Sequence, residues 1–244
     1  MILLSLLLSL VSVSSESMAD VRVAVASNFL APLQQIGRAF TLETGTQVEI
    51  SSGASGKFFA QIENGAPFDI FLSADQSYPK TLIEKKLAKL GSSFTYAIGS
   101  LVLWSADPKL IDADGKVLKE LKFKHLAIAN PKLAPYGIAA EEALKKMGMI
   151  EKVRPLLVMG ENVAQTHQFI VSGNAELGLI PLSEALPEKN GSQWIVPREL
   201  YSPIRQDAVI LSKAKNVADV KKFFEYLKGK ESKAIIKNFG YTLP

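Results

Sequence analysis

The chain contains no cysteine, which excludes disulfides, thiolate metal sites and thiol catalysis together. Histidine is almost as scarce, with two residues in 244, so a zinc site has little to be built from. His125 opens an apolar strand pattern and His167 falls inside a helical one; both read as packing or surface residues. No GxSxG elbow is present to present a nucleophilic serine. The formal net charge is only +4. Its Lys and Arg residues are dispersed, without the basic block or aromatic-interleaved stripe that nucleic-acid binding uses. The apolar run Ile2 to Val13 is too short to span a bilayer.

That run has the length of a secretory h-region, and "SMA" before Asp20 supplies small residues for cleavage. It lacks the Lys or Arg that usually precedes such a segment. Residues 1–19 are expected to be a cleaved signal peptide. A lipoprotein anchor needs a cysteine at the cleavage point, so the mature chain is expected free in a Gram-negative periplasm. With 48% hydrophobic residues, the chain can fill two cores of ordinary size.

Strand and helix patterns alternate beyond residue 20. "VRVAVA" (21–26) is nearly all apolar, as a strand buried on both faces should be. A helix pattern comes next, with Leu30, Leu33, Ile36 and Phe40 on one face and Gly45 as the stop. Strands are then expected at 47–51 and 69–73, helices at 56–65 and 78–87, and one long extended run at 94–105. Further strands fall at 125–130, 156–160, 176–182, 193–197 and 207–212, with helices at 137–148, 164–173, 217–229 and 232–240. This alternation predicts α/β architecture with largely parallel sheets.

Between "VEI" and "FDIFLS" stands "SSGASGKFFAQIENGAP" (51–67). Its Gly56-Lys57 pair suggests a nucleotide P-loop, but Gly53 and Gly56 are only two residues apart and Phe58 stands where a Mg-binding hydroxyl is required. What survives is Ser55 at the mouth of a helix. Three other strand–helix junctions are similar: Ser27-Asn28 after "VAVA", Tyr136-Gly137 after "LAIANPKLAP", and "ENVAQ" after "LLVMG". Ligands of α/β sheets gather beyond the carboxyl ends of the strands, and converging helix N-termini offer free N–H groups to an anion. For each Ser or Asn taken alone, a plain N-cap is the simpler reading.

The stretches "VAVASNFLAPL", "ISSGASGKFFAQIENGAPFDIFLSAD", "FTYAIGSLVLWS", "LAIANPKLAPYGIAAEEAL" and "FFEYLKGKESKAIIKNFGYTLP", in this order, resemble the periplasmic molybdate-binding proteins of ABC importers along essentially all of residues 20–244. The resemblance implies a two-lobed type II periplasmic-binding-protein fold, each lobe a mostly parallel sheet flanked by helices with the ligand cleft between. Lobe 1 would comprise 20–97 plus 207–244 and lobe 2 would comprise 98–206. It implies a monomeric solute-binding subunit that delivers molybdate or tungstate to an inner-membrane permease, with no cofactor. Ser27 and Ser55 match the family's hydroxyl-bearing positions, and Tyr136 and Val163 its backbone N–H donors. Where many members carry a tyrosine donor, "LGLIPL" places Pro181, which can donate nothing. The resemblance then points to Asn28 as the replacement.

Such a ligand suits these residues. Molybdate and tungstate are fully deprotonated dianions at neutral pH, so every ligand should be a donor, and no Asp or Glu belongs to the set. Asp69, Asp75 and Glu161 lie near it in sequence and are candidates for a supporting role. Lys57 reads as a solvated charge, and Trp104 and Trp194 as packing residues. A sulfate or thiosulfate binder is the alternative within the class, with fixed amides selecting by size. An enzyme on the same scaffold is the remote alternative, since no acid/base pair is visible.

Overall fold

The computed structural model describes residues 21–244; the expected leader, residues 1–19, lies outside the described residues. In chain order the strands are β1 (Val21–Ala26), β2 (Val48–Gly53), β3 (Ile70–Leu72), β4 (Phe94–Gly99), β5 (Leu101–Ser105), β6 (Leu126–Ala129), β7 (Leu157–Gly160), β8 (Leu177–Pro181), β9 (Ser192–Ile195) and β10 (Ile204–Ile210). The helices are α1 (Leu30–Thr44), α2 (Ser55–Glu63), α3 (Ser77–Glu84), α4 (Lys116–Glu120), α5 (Pro135–Lys146), α6 (Ile150–Val153), α7 (Val163–Val171), α8 (Leu182–Ala185), α9 (Val217–Tyr226) and α10 (Lys230–Asn238). A 3-10 turn, Ser27–Phe29, joins β1 to α1.

The strands form two five-stranded sheets, ordered β2-β1-β3-β10-β4 and β7-β6-β8-β5-β9. In the first, β1 runs parallel to β2 and β3, while β10 is antiparallel to both β3 and β4. In the second, β6 runs parallel to β7 and β8, while β5 is antiparallel to β8 and β9. Each sheet therefore has four strands pointing one way and a single reversed strand. The parallel strands β2, β6 and β7 each lead into a helix, α2, α5 and α7, whose N-terminus lies where the sheets face each other.

Alternation of side chains across β1 explains why it is apolar throughout. Val21, Val23 and Val25 pack with Leu33, Ile36 and Phe40 of α1 and with Phe223 and Phe224 of α9. Ala24 faces the other way, with Phe58 and Ile62 of α2 and Leu82 of α3. Phe40 and Phe223 meet edge to face at 5.0 Å. The second sheet is built alike: Leu101, Leu103 and Ile128 pack against α5, and Val102, Trp104 and Ala127 against α7 and α8. Gly45 ends α1 in the left-handed conformation, as expected of a stop residue.

Several expectations needed correction. The 94–105 run is two strands, not one: it breaks at Ser100, and β4 and β5 belong to different sheets. At this crossing a Cβ on Gly99 would fall 1.9 Å from the Tyr136 hydroxyl, so only glycine lets the chain pass. The return crossing lies between β9 and β10, and β10 starts at Ile204, three residues earlier than the apolar run indicates. The short helices α4, α6 and α8 carry too few turns to leave a periodic signal.

Behind the second sheet, the buried His167 of α7 meets Glu184 of α8 and the exposed Glu188 beyond it. His167 lies with Nδ1 3.6 Å from Glu184 and Nε2 3.3 Å from Glu188, its ring edge-on to Trp104. Nε2 is buried without a hydrogen bond, and burial holds the imidazole below its ordinary pKa. Burial, with the charge of Glu188 adding to it, pushes the Glu184 carboxyl up to about 7. The unfolded chain thus releases this proton first as pH rises, and stability is lost between roughly pH 4.5 and pH 7. Glu184→Gln is expected to raise unfolding free energy at pH 8 by an amount on the order of 2–3 kcal/mol, with the gain shrinking toward pH 5. Paired urea titrations at the two pH values check this; an equal gain at both would mean that the carboxyl does not titrate in this range.

Candidate functional site

The ends of β1, β2, β6 and β7 meet between the two sheets. There they line a small, partly open cavity, whose lining includes Ser27, Asn28, Ser55, Tyr136 and Val163. All five sequence-derived candidates are thus brought together. The rest of the lining is small or uncharged, with Ala26, Ala54, Ala74 and Ala134 contributing methyl walls, and no charged side chain is among it.

Three helices of eight residues or more begin at this cavity. Ser55 is the first residue of α2, Tyr136 the second of α5 and Val163 the first of α7. A helix leaves its first N–H groups without intrahelical acceptors and carries partial positive charge at that end. The Tyr136 and Val163 amides take no other backbone acceptor among the described residues. Pro135 starts α5, where a missing N–H matters least. Asn162 is the N-cap of α7 and accepts from Gln165 N, so its side chain holds the helix end in place.

Ser55 is not an N-cap: that position belongs to Ala54, and no side-chain cap bond is made. The Ser55 hydroxyl, 1% exposed, instead accepts a hydrogen bond from Ala74 N at 3.0 Å. With its oxygen so held, its proton remains to be donated. The Ser27 hydroxyl is also buried and makes no hydrogen bond to the described residues. The Tyr136 side chain runs away from the cavity to Gln206, 3.4 Å from its Nε2, and burial raises its phenol well above the usual pKa. Its contribution to the cavity is therefore the main chain.

Asn28 differs from expectation. Its Nδ2 already donates to Gln206 Oε1 at 2.8 Å and to Tyr241 Oη at 2.9 Å. Both amide protons are engaged, and what Asn28 retains for the cavity is its backbone N–H. Gln206, Tyr241 and Ser183, which surround Asn28, were not singled out from sequence. They come from three distant segments with no motif linking them.

The nearby acids stand aside. Asp69 sits at the opposite end of β1 and β3, where it accepts from Arg22 N and Lys215 N. Asp75 accepts from Ser73, Ser77 and Tyr78 N at the start of α3, and burial raises its pKa. Glu161 pairs with Lys57 at 2.5 Å. Lys57 is therefore not simply solvated: it joins α2 to the loop before α7, though a half-exposed pair of this kind contributes at most about 1 kcal/mol. Beside it Gly56 N donates to Leu133 O at 2.9 Å, and a Cβ on Gly56 would come within 3.1 Å of that oxygen. His125 is exposed beside Glu176 and Trp104 is buried in the second sheet's core. Among the described residues no group of His, Asp or Glu could hold a metal ion, and no helix is long and apolar enough to cross a membrane.

The chain as a whole is similar to known proteins. The chain is 50% identical over 228 residues to the molybdate-binding protein ModA of Azotobacter vinelandii, covering 92% of this chain and 90% of the relative. It is 47% identical over 223 residues to ModA of Rhodobacter capsulatus, covering 91% and 88%. The solved structure of the Azotobacter vinelandii periplasmic molybdate-binding protein superposes with a TM-score of 0.89 at 43% identity, over 92% of this chain and 99% of that one. A family model described as bacterial extracellular solute-binding protein matches residues 21–242, and the chain belongs to that family.

Proposed function

We propose that this protein is the periplasmic solute-binding component of a molybdate and tungstate ABC importer. The observation that carries the reading is a cavity met by three helix N-termini and two serine hydroxyls with no charged side chain in its lining. The donors are the hydroxyls of Ser27 and Ser55 and the main-chain N–H groups of Asn28, Tyr136 and Val163. Each charge-assisted bond contributes on the order of 1.5–3 kcal/mol. A carboxylate would repel a dianion here, and hydrogen phosphate would find no acceptor for its proton. Sulfate carries the same charge but is smaller, so it fails to reach donors fixed on opposite sides. The relatives named for molybdate binding support the same ligand.

In this reading lobe 1 (20–97 with 207–244) and lobe 2 (98–206) hinge about the two crossings and close on the ion. The protein acts as a monomer that hands its ligand to an inner-membrane permease, after removal of residues 1–19. It is a binder rather than an enzyme, since the donors hold an anion and no acid/base pair adjoins them.

A ligand bound only by the folded, closed form stabilises by about 2.7 kcal/mol at a hundredfold excess over Kd. Molybdate and tungstate are therefore expected to raise Tm by several degrees, and equimolar sulfate to leave it unchanged. A thermal-shift series over molybdate, tungstate, sulfate, phosphate and chromate tests this, and an equal shift with sulfate would sink selection by size.

Ser55→Ala removes a donor and leaves Ala74 N without its acceptor. Molybdate affinity should fall by roughly 1.5–3 kcal/mol, from tenfold to more than a hundredfold, with a modest loss of Tm in the free protein. Ser55→Asp should bind far worse, because a carboxylate would face the dianion in a water-poor cavity. Calorimetric titration of both variants decides the point; near-native affinity in Ser55→Asp would show that Ser55 does not touch the ion.

A further inference from the structure

We infer that Ser183 is a positioning residue that completes a hydrogen-bonded ring around Asn28 when the lobes meet, and so ties closure to the oxyanion site. The inference rests on the oxyanion reading given above. Three side chains of the first sheet's side converge here with two of the second. Asn28, Gln206, Tyr241 and Ser183 are all buried; Ser183, on α8, joins the ring around Asn28 from the second sheet's side, while Tyr136 of α5 meets Gln206 Nε2 at 3.4 Å.

The donors run in one direction around the ring. Asn28 Nδ2 donates to Tyr241 Oη at 2.9 Å, the Tyr241 hydroxyl donates to Ser183 Oγ at 2.9 Å, and the Ser183 hydroxyl donates to the Asn28 carbonyl at 3.1 Å. Each hydroxyl both gives and receives, so no proton is left over. Tyr241 is held in place from two sides: its ring packs edge-on to Phe29 at 5.4 Å, and the next residue, Thr242, bridges to Ile98 of β4. The second Nδ2 proton goes to Gln206 Oε1, which also accepts from Tyr96 Oη. The first-lobe part of the network is thereby fixed, and the 3-10 turn bearing Ser27 and Asn28 is fixed with it.

Withdrawing Ser183 leaves that part intact. The Tyr241 hydroxyl lies 2.7 Å from the Asn28 carbonyl and can give its proton there instead. The open protein therefore loses nothing buried when Ser183 is absent, whereas the closed one gains a bond when it is present. An interaction made only on closure stabilises the bound form selectively. It also draws the Asn28 peptide toward lobe 2. Ser183 follows Pro181 by two residues, so the strand end that offers the ion no donor supplies one to Asn28 instead.

The test is Ser183→Ala, measured by molybdate calorimetry, stopped-flow release and thermal melting without ligand. One neutral bond is lost from the closed form only, so affinity should fall roughly 3- to 10-fold. The loss should appear in the release rate, while the ligand-free Tm stays at the wild-type value. Unchanged affinity in Ser183→Ala, with wild-type binding intact, would overturn the assignment of Ser183 alone. A lowered ligand-free Tm with unchanged affinity would do the same, by marking an ordinary structural bond. Absence of molybdate binding by the wild-type chain would overturn the oxyanion reading and this inference together.

Discussion

The helical backbone leaves its first N–H groups unpaired, and the site of this protein depends on that constraint. Those groups must be satisfied by something; at the starts of α2, α5 and α7 the N–H groups of Ser55, Tyr136 and Val163 stand at one small cavity, while Gly56 N is taken by the Leu133 carbonyl and Gln165 N by the Asn162 cap. An anion answers the need of all three helices at once. Because the donors are amides and hydroxyls, the ligand's charge is met by fixed dipoles and no counter-ion has to be desolvated with it. Such dipoles are useful only if they do not move, which is why each helix is anchored over its length. α5 lies on the second sheet through Ala139, Ala140 and Ala143, whose small side chains let the helix sit close. α2 is pinned by Phe58 and Ile62.

The same constraint explains the topology. Strands that run parallel with helices between them all begin those helices on one side of the sheet. A single sheet arranged so can line half an ion. Two sheets facing each other line it completely, provided the chain crosses between them without blocking the approach. Gly99 and Ser100 make the first crossing beside the Tyr136 ring, and Gly56 allows the α2 turn to touch the Leu133 carbonyl opposite. A methyl group at either point would hold the two halves apart.

Much of this was legible in the sequence, and the reason is periodicity. β1 and α1 announce themselves because every second or every third to fourth residue must be apolar to fill the core on the side it faces. The four strand–helix junctions could be placed from those patterns, and small or polar residues stood at each. The break at Ser100 left no mark in the pattern, because β4 and β5 are both apolar and a change of sheet leaves the alternation undisturbed; only the resemblance set a lobe boundary, at 97/98, inside this run. Nor could Ser183, Gln206 and Tyr241 be associated with Asn28. Hydrogen bonds between residues 155 to 213 positions apart obey no local spacing, and each of these side chains alone resembles an ordinary solvent-facing polar group. Lys57 failed for a related reason: its partner Glu161 lies 104 residues away.

At Asn28 the place of the residue and the use of its side chain diverge. The resemblance sets it at the cavity because Pro181 lacks a donor, and it does line the cavity. Yet an asparagine side chain has only two protons to give, and Gln206 and Tyr241 receive both. What the residue offers instead is a backbone held rigid from either side, by its own side chain and by the Ser183 hydroxyl on its carbonyl. Rigidity matters more here than one further side-chain ligand. A fixed amide separates two dianions of different radius only when it cannot follow the smaller one inward, and a buried network in which every polar group is satisfied resists that movement.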